Sequence, residues 1–588
     1  MMRIRLGNNC TFGSYFMLNK RRTAVALALA LAAFSSSAGA ASLAARMPPK
    51  SLLYVQWNGA ALTRGYKTSR LRAIARASGV HTNLAARVFK SLFPFNQSPA
   101  SSRALIRLAM KHPGALAVVM KNDHRGGGRS AITLMALRAG KKSAKAFKLM
   151  RGITKDYATA KVPFETYLAY RAGGCVVLQE SRRLRKPAFR IRSGTSPIVR
   201  LREQLGHSPI FFYANIHTAW RDSMSHEVPP QRILMRIMGG ASVNALAGTL
   251  QFSGHDCLTR LILTFHKKPS GLLASCVQPT SAAALNLVPR HAVSFASTSV
   301  NVSKDFTALA AWFLLGRSSS GQGQPAQPNP RAVEHKIQAM VLQQFHVHLR
   351  RSLLEPLSGT WVAYQLAGPG GALQDPVFVH PLKSPQALGG AISSIAIKLN
   401  QLWKSQGRPM NIAMTNNGAT RLYTMKLGRF SPTLAIAHNS LYLCPSDRAA
   451  LAAAMRRAGG AGVAANPSFT ALKNRLHVPS GVHAAYSFAR TKPLLKVILS
   501  IFKQQIQPRL RAANIMPPHL HIPSFARLAP HLSPTASASW FDDDAYHVTW
   551  LGPIPAAQLL MAPAWAAGPT GKMLPSLLTA TVVRAHHK

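Results

Sequence analysis

Four short patterns occur twice along this 588-residue chain, in the same order each time. A repeat of that kind restricts the fold to two related units. A proline followed by an apolar strand opens each series: Pro49-Lys50-Ser51-Leu52-Leu53-Tyr54-Val55 and Pro289-Arg290-His291-Ala292-Val293-Ser294-Phe295. A hairpin comes next. Residues 168–178 align without a gap to 434–444, and Gly173-Gly174 and Asn439-Ser440 fall at nearly the same place. These residue types suit tight turns. The third pattern is a short helix between equally spaced prolines, Pro197 to Pro209 and Pro467 to Pro479, each followed by an apolar strand. The last is a hairpin, 250–265 and 539–551. The separation between copies grows from each pair to the next, as one duplication with insertions in the second copy requires. The halves so defined are 41–285 and 286–588.

Within each half, strand and helix patterns alternate. Residues 115–120 and 131–137 read as a hairpin across Arg125-Gly126-Gly127-Gly128, and 71–93 and 141–150 read as helices. In the second half, 333–354 reads as one helix, because Ile337, Val341, Phe345, Leu349 and Leu353 share a face. Residues 361–367, 377–380 and 422–427 read as strands. Closely spaced hairpins favour antiparallel pairing. The expected fold class is α+β, with two similar halves, each a mainly antiparallel sheet with helices packed on one face. The Ser-, Gly-, Gln- and Pro-rich stretch 317–330 reads as a flexible insertion.

Composition narrows the function classes. Lys and Arg number 72 against 16 Asp and Glu, a formal net charge of +56. Hydrophobic residues still make up 47%, far too many for a disordered polycation, so a packed core is expected. Beyond the N-terminus no uninterrupted apolar run reaches the length of a membrane span, and no transmembrane anchor is expected. Residues 17–40 carry the marks of a secretory leader. Lys20, Arg21 and Arg22 form its positive end, 24–34 its apolar segment, and Ala38-Gly39-Ala40 a small-residue cleavage site. Translation then starts at Met17, and export to the periplasm or the exterior is expected. Cleavage leaves Cys175, Cys257, Cys276 and Cys444. Four cysteines allow three pairings; Cys257 with Cys276 fits best, since both fall in adjacent strand-like stretches, and buried thiols are the simpler alternative.

The order of proline-strand, hairpin, helix and proline-strand resembles a large family of secreted bacterial proteins labelled domain of unknown function 3352. The residues that carry the likeness are 49–55 and 434–490: the Ala435-Ile436-Ala437-His438-Asn439-Ser440 hairpin, the Ser446-Asp447 helix start, Asn466-Pro467-Ser468-Phe469, and Pro479 with its strand. They span about a third of the chain. The resemblance implies a duplicated α+β exported protein and transfers no catalytic residue.

Four clusters invite a chemical reading. Gly206-His207-Ser208-Pro209-Ile210 begins like a hydrolase nucleophile elbow, but Ile210 stands where a small residue is needed and a strand follows where a helix should. Asp542-Asp543-Asp544 with His547 offers oxygen ligands to a hard cation, although Asp is equally a turn residue. His346 and His348 lie two apart on an expected helix and point away from each other, and His519-Leu520-His521 has no evident third ligand. Arg182, Arg183, Arg185 and Lys186, with Arg190 and Arg192, form the densest basic block, and Lys141, Lys142, Lys145 and Lys148 fall along one helix flank. Such groups bind polyanions by neutralising charge and releasing counterions.

The expected function is therefore non-enzymatic: association with anionic envelope polymers or lipid head groups, steered by the summed field. No catalytic residue, metal ligand set or cofactor motif is assigned. Nucleic acid is not an expected partner, because export removes the protein from the genome. Two alternatives stand beside this reading. A hydrolase-type enzyme could place its site between the halves, or the scarcity of acids could adapt an exported chain to an acidic exterior, where ionised carboxylates lose their stabilising effect.

Overall fold

The computed structural model describes residues 41–78, 104–122 (except 106 and 110), 129–159, 167–180, 189, 196–224 (except 207), 239–306 (except 272 and 277–279), 330–426 (except 370 and 371), 431–456, 462–512 and 523–555 (except 543). The expected leader, the insertion up to 329 and the C-terminal tail lie outside the described residues. The chain divides into two compact units, Met1–Ala219 with Asn244–Leu263, and Trp220–Val243 with Thr264–Lys588.

Eight strands build the first unit's sheet: β1 (Ser51–Trp57), β2 (Gly114–Asn122), β3 (Arg129–Leu137), β4 (Tyr167–Ala172), β5 (Cys175–Glu180), β6 (Ile210–Ala214), β7 (Val243–Ser253) and β8 (Asp256–Phe265). All its register-defined pairs are antiparallel. β1 lies between β2 and β6, β2 pairs with β3, β3 with β5, β5 with β4, and β6 with β7. β7 reaches β8 through the two-residue turn Gly254-His255. Helices α1 (Gly59–Thr68) and α2 (Arg70–Ala77) follow β1, α3 (Ser143–Thr159) links β3 to β4, and α4 (Pro197–Leu205) and α5 (Ile216–Met224) flank β6.

The strands are covered on both faces. Along β1, Leu53, Val55 and Trp57 form one buried row, packed with Ala146, Met150 and Ile153 of α3. Tyr54 and Gln56 point the other way and are also buried. Opposite them in β6 stand Tyr213 and Phe211, and the Tyr54 and Phe211 rings lie 6.1 Å apart. The buried Arg202 of α4 acts on Tyr54 from this side. In the first unit, the expectation of helices on one face only is thus corrected: α3 packs on one face and α4 reaches the other. The physical reason is visible in the strands themselves: unbroken apolar runs such as Cys175-Val176-Val177-Leu178 leave neither face fit for water.

The second unit contains β9 (Ser294–Val300), β10 (Gly359–Gln365), β11 (Val377–Pro381), β12 (Ile412–Asn417), β13 (Thr420–Met425), β14 (Thr433–Ala437), β15 (Ser440–Cys444), β16 (Ala485–Ala489), β17 (Thr535–Phe541) and β18 (Ala545–Gly552). β9 lies between β10 and β16; β10 pairs with β11, β11 with β15, β15 with β14, β16 with β17, and β17 with β18. Read with β9 in the place of β1, this is the pairing order of the first unit. Two further strands extend it, β13 on β14 and β12 on β13. The helices follow suit: α6 (Pro330–Phe345) comes after β9, α7 (Pro385–Ser405) after β11, α8 (Asp447–Arg456) after β15, and α9 (Pro467–Arg475) and α10 (Thr491–Ile501) flank β16. Asn466 caps α9, its side-chain oxygen accepting from the N–H groups of Ser468 and Phe469. Phe295, Phe469 and Phe488 are fully buried together, with centroids 5.0–6.2 Å apart.

Among the described residues, two ion pairs and one histidine–carboxylate contact fasten the elements. Buried Asp256, at the start of β8, pairs with Arg70 at 2.6 Å and so ties the α1–α2 junction to the β7–β8 turn. Glu334 of α6 accepts from Arg350 at 2.5 Å, and Asp542 meets His547 at 2.5 Å across the β17–β18 turn. The outer side of β12 is closed at Ile412, whose N–H donates to the Asn400 side chain at 2.8 Å while its carbonyl accepts from the same amide at 2.9 Å.

Three expectations change here. The helix read over 333–354 stops at Phe345; His346 adopts a positive φ of 55°, and Leu349–Leu354 form a separate π-helical turn. In a continuous helix Val347 would face solvent, opposite Phe345 and Leu349; the break turns it inward, where it is buried. The strand register also shifts the second-half hairpin by one residue. Its turn is His438-Asn439, with φ of 48° and 53°, not Asn439-Ser440, while Gly173-Gly174 holds the corresponding turn of the first unit. Cys175, Cys257 and Cys444 are buried thiols, and Cys276 lies in a short helix, so the Cys257–Cys276 disulfide is not formed.

Phe295→Ala removes the ring on which Phe469 and Phe488 converge. We expect a loss of about 3–5 kcal/mol in chemical unfolding; a change below about 1 kcal/mol would show that the three rings do not hold the second unit.

Candidate polyanion-binding surface

The lysines singled out in the sequence sit where helical spacing puts them. A 3-10 turn at Gly140–Lys142 leads into α3, which continues to Thr159, nine residues beyond the stretch read as helical. Ala146, Met150 and Ile153 define its buried side. Lys141, Lys142, Lys145 and Lys148 are exposed, and Arg151 and Lys155 prolong the same flank. The series from Lys141 to Lys155 extends about 21 Å at the helical rise per residue.

β4 adds to this flank. The Arg171 guanidinium lies over the Phe147 ring of α3 at 5.1 Å, and Arg151 approaches the same ring at 5.9 Å. Both charges are thereby held in place while they stay in contact with water. At the turn end of the strand, Arg46 occupies the space above Gly173, where a Cβ would lie 1.3 Å from its Nη1. Arg138 bonds the Cys175 thiol; burial nonetheless raises the thiol's pKa, and the two arginines only oppose that rise.

The second basic block, Arg182, Arg183, Arg185 and Lys186 with Arg190 and Arg192, lies outside the described residues. Arg151, Lys155 and Arg171 were missed in the sequence. The first two follow from continuing the three- and four-residue spacing past Met150; Arg171 needs the pairing of β4 with β5 and the packing of α3 on both.

The competing clusters resolve into structural roles. Gly206 caps the end of α4 and Ile210 starts β6, so the elbow-like stretch runs from helix to strand, the reverse of a nucleophile elbow. Ser208 is buried and its hydroxyl faces Gln251 at 3.5 Å. Asp542 accepts the N–H of Ala545 and holds the β17–β18 turn. His346 and His348 stand at the helix break, and His519 and His521 lie outside the described residues. Among the described residues, no three His, Cys, Asp or Glu side chains converge on a point. A shallow pocket of about 420 Å³ in the second unit is lined by Asn301, Ser303, Lys304, Arg350, Glu355 and Ser358. No helix among the described residues is long and apolar enough to cross a membrane.

One buried titratable group stands apart. His380 on β11 is stacked on Trp361 at 4.9 Å, and its two ring nitrogens face the carbonyl oxygens of Thr360 and Pro356, each at 3.0 Å. Burial lowers its pKa, and the two carbonyls pull it back without restoring it. The fold thus favours the neutral ring. Its contribution to stability is present above the ordinary imidazole pKa and is lost as pH falls through the depressed value. His380 works against acid tolerance. His380→Phe keeps a ring on Trp361 and removes the titration. Unfolding measured from pH 7 down to pH 4 should decline less steeply in the variant than in the parent; equal slopes would assign the decline to other groups.

No protein-family model, no curated protein and no solved structure matches this chain.

Proposed function

We propose that this is an exported, non-enzymatic protein that binds anionic polymers of the cell envelope through its α3–β4 surface. The observation that carries the reading is the exposed row Lys141, Lys142, Lys145, Lys148, Arg151, Lys155 and Arg171 on adjoining elements. Asp156 in α3 and Glu180 at the end of β5 are the acids that these elements carry. A row of this length spans several charges of a polyphosphate, a wall phosphate polymer or an acidic polysaccharide. Binding follows from counterion release and weakens with salt.

Export rests on the leader pattern in residues 17–40. Just beyond its cleavage site Leu43, Ala44 and Met47 are buried. The common pairing order of the two sheets supports an origin by duplication, and with it the resemblance to the secreted family of duplicated α+β proteins. The two added strands β12 and β13 are then an insertion in the second copy.

Two experiments test the proposal. Sequencing the N-terminus of protein recovered from the envelope fraction should read Ala41-Ser42-Leu43; an intact Met17 end would remove the argument for export. On immobilised polyphosphate, retention should fall steeply with salt. The combined substitution Lys141→Gln, Lys145→Gln and Lys148→Gln should reduce the log–log salt slope by about 2–3. Retention that ignores salt, or an unchanged slope, would overturn the assignment of this surface.

A further inference from the structure

We infer that the outer edge of β4 receives an extended acidic segment of a partner polypeptide, paired antiparallel as one more strand of the first unit's sheet. The inference uses some of the cations of the proposed polyanion surface but adds a backbone requirement that a flexible anionic polymer does not have.

The register defines the edge. The Gly173-Gly174 turn, with φ of 56° and 75°, sets Ala172 opposite Cys175. In an antiparallel ladder, hydrogen-bonded and non-hydrogen-bonded pairs then alternate. Ala172 and Tyr170 direct their N–H and C=O groups at β5; Arg171 and Ala169 direct theirs outward. Among the described residues, no strand pairs with this side of β4.

The second unit contains the same edge already occupied. β14 holds the place of β4, and its turn sets Ala437 opposite Ser440. The outward residues there are Ile436 and Leu434, and β13 covers them with Arg421 and Tyr423. Ile436 and Leu434 correspond to Arg171 and Ala169. The sheet beyond ends at β12, whose first outward residue, Ile412, is closed on both polar atoms by Asn400.

The side chains specify the occupant. Tyr167, Ala169 and Arg171 lie on the α3 side of β4, where Phe147 carries Arg171 and Arg151 and where Lys145 and Lys148 are exposed. Leu168, on the other side, is 43% exposed. A matching strand alternates acidic residues towards α3 with apolar residues towards Leu168. A second copy of β4 is disfavoured, because it would set Arg171 and the α3 lysines against their own kind.

The probe is a fluorescent, end-capped octapeptide of alternating glutamate and valine, titrated into the full chain and followed by anisotropy. Two changes remove the outward hydrogen bonds and leave every cation in place. Ala169→Pro deletes an N–H that plays no part in the β4–β5 ladder. N-methylation of the peptide at alternate residues, tried in both registers, does the same from the other side and needs no change in the protein. We expect Ala169→Pro, and one of the two N-methylated peptides, to bind at least about tenfold more weakly than the parent pair. Retention of the Ala169→Pro variant on polyphosphate should be unchanged. Equal binding of all the peptides by both proteins, or no binding of the plain peptide, would overturn strand addition while leaving the polyanion reading intact. Should Ala169→Pro unfold, the N-methylated peptides decide alone.

Discussion

Seventy-two cations face sixteen carboxylates in this chain, so most of the positive charge must be left to solvent and counterions. Cohesion therefore falls on apolar burial and on the backbone hydrogen bonds of the two sheets. Strands buried on both faces are the structural expression of that constraint. Tyr54 and Val55 are neighbours in sequence, point in opposite directions, and are both shielded from water. The few acids are placed where one contact fixes two elements. Asp256 joins the α1–α2 junction to a hairpin, and Glu334 spans the break after α6 to reach Arg350. The acids are the buried members of these pairs; Arg70 and Arg350 keep contact with water and would return to solvent if their acids were removed.

Much of the plan was legible because turn chemistry is local. Prolines mark the residues just before β1 and β6 and the first turns of α4 and α9, and the paired glycines at 173 and 174 fix a hairpin. The register error at 438–440 shows the limit of such reading. His438 and Asn439 both tolerate positive φ, and only the pairing of Ala437 with Ser440 decides which two residues turn. The helix break at His346 was hidden for another reason. A helical apolar spacing runs through it without interruption, and the inward demand of Val347 is a tertiary matter. β12 has a weak signal, because four of its six residues are exposed.

The candidate surface was half legible. Lys141, Lys142, Lys145 and Lys148 follow from helical spacing alone. Arg171 lies 23 positions further along than Lys148, and only the packing of α3 across β4 and β5 makes them neighbours. Phe147 supplies the physical link: an aromatic face that holds two guanidinium groups on a helix whose other side is committed to the core. Without that ring, long flexible side chains would lose more conformational freedom in keeping a common orientation.

The carboxamide of Asn400 has a consequence for what this molecule can become. By occupying both polar atoms of Ile412, it imitates one rung of a neighbouring strand at that end of the second unit's sheet. Two units that share one plan therefore finish with opposite chemical characters. One border has a rung filled by an amide from its own helix. The other meets no strand among the described residues and has cations beside it, so that what it tolerates is decided by ionic strength and by the sign of whatever approaches.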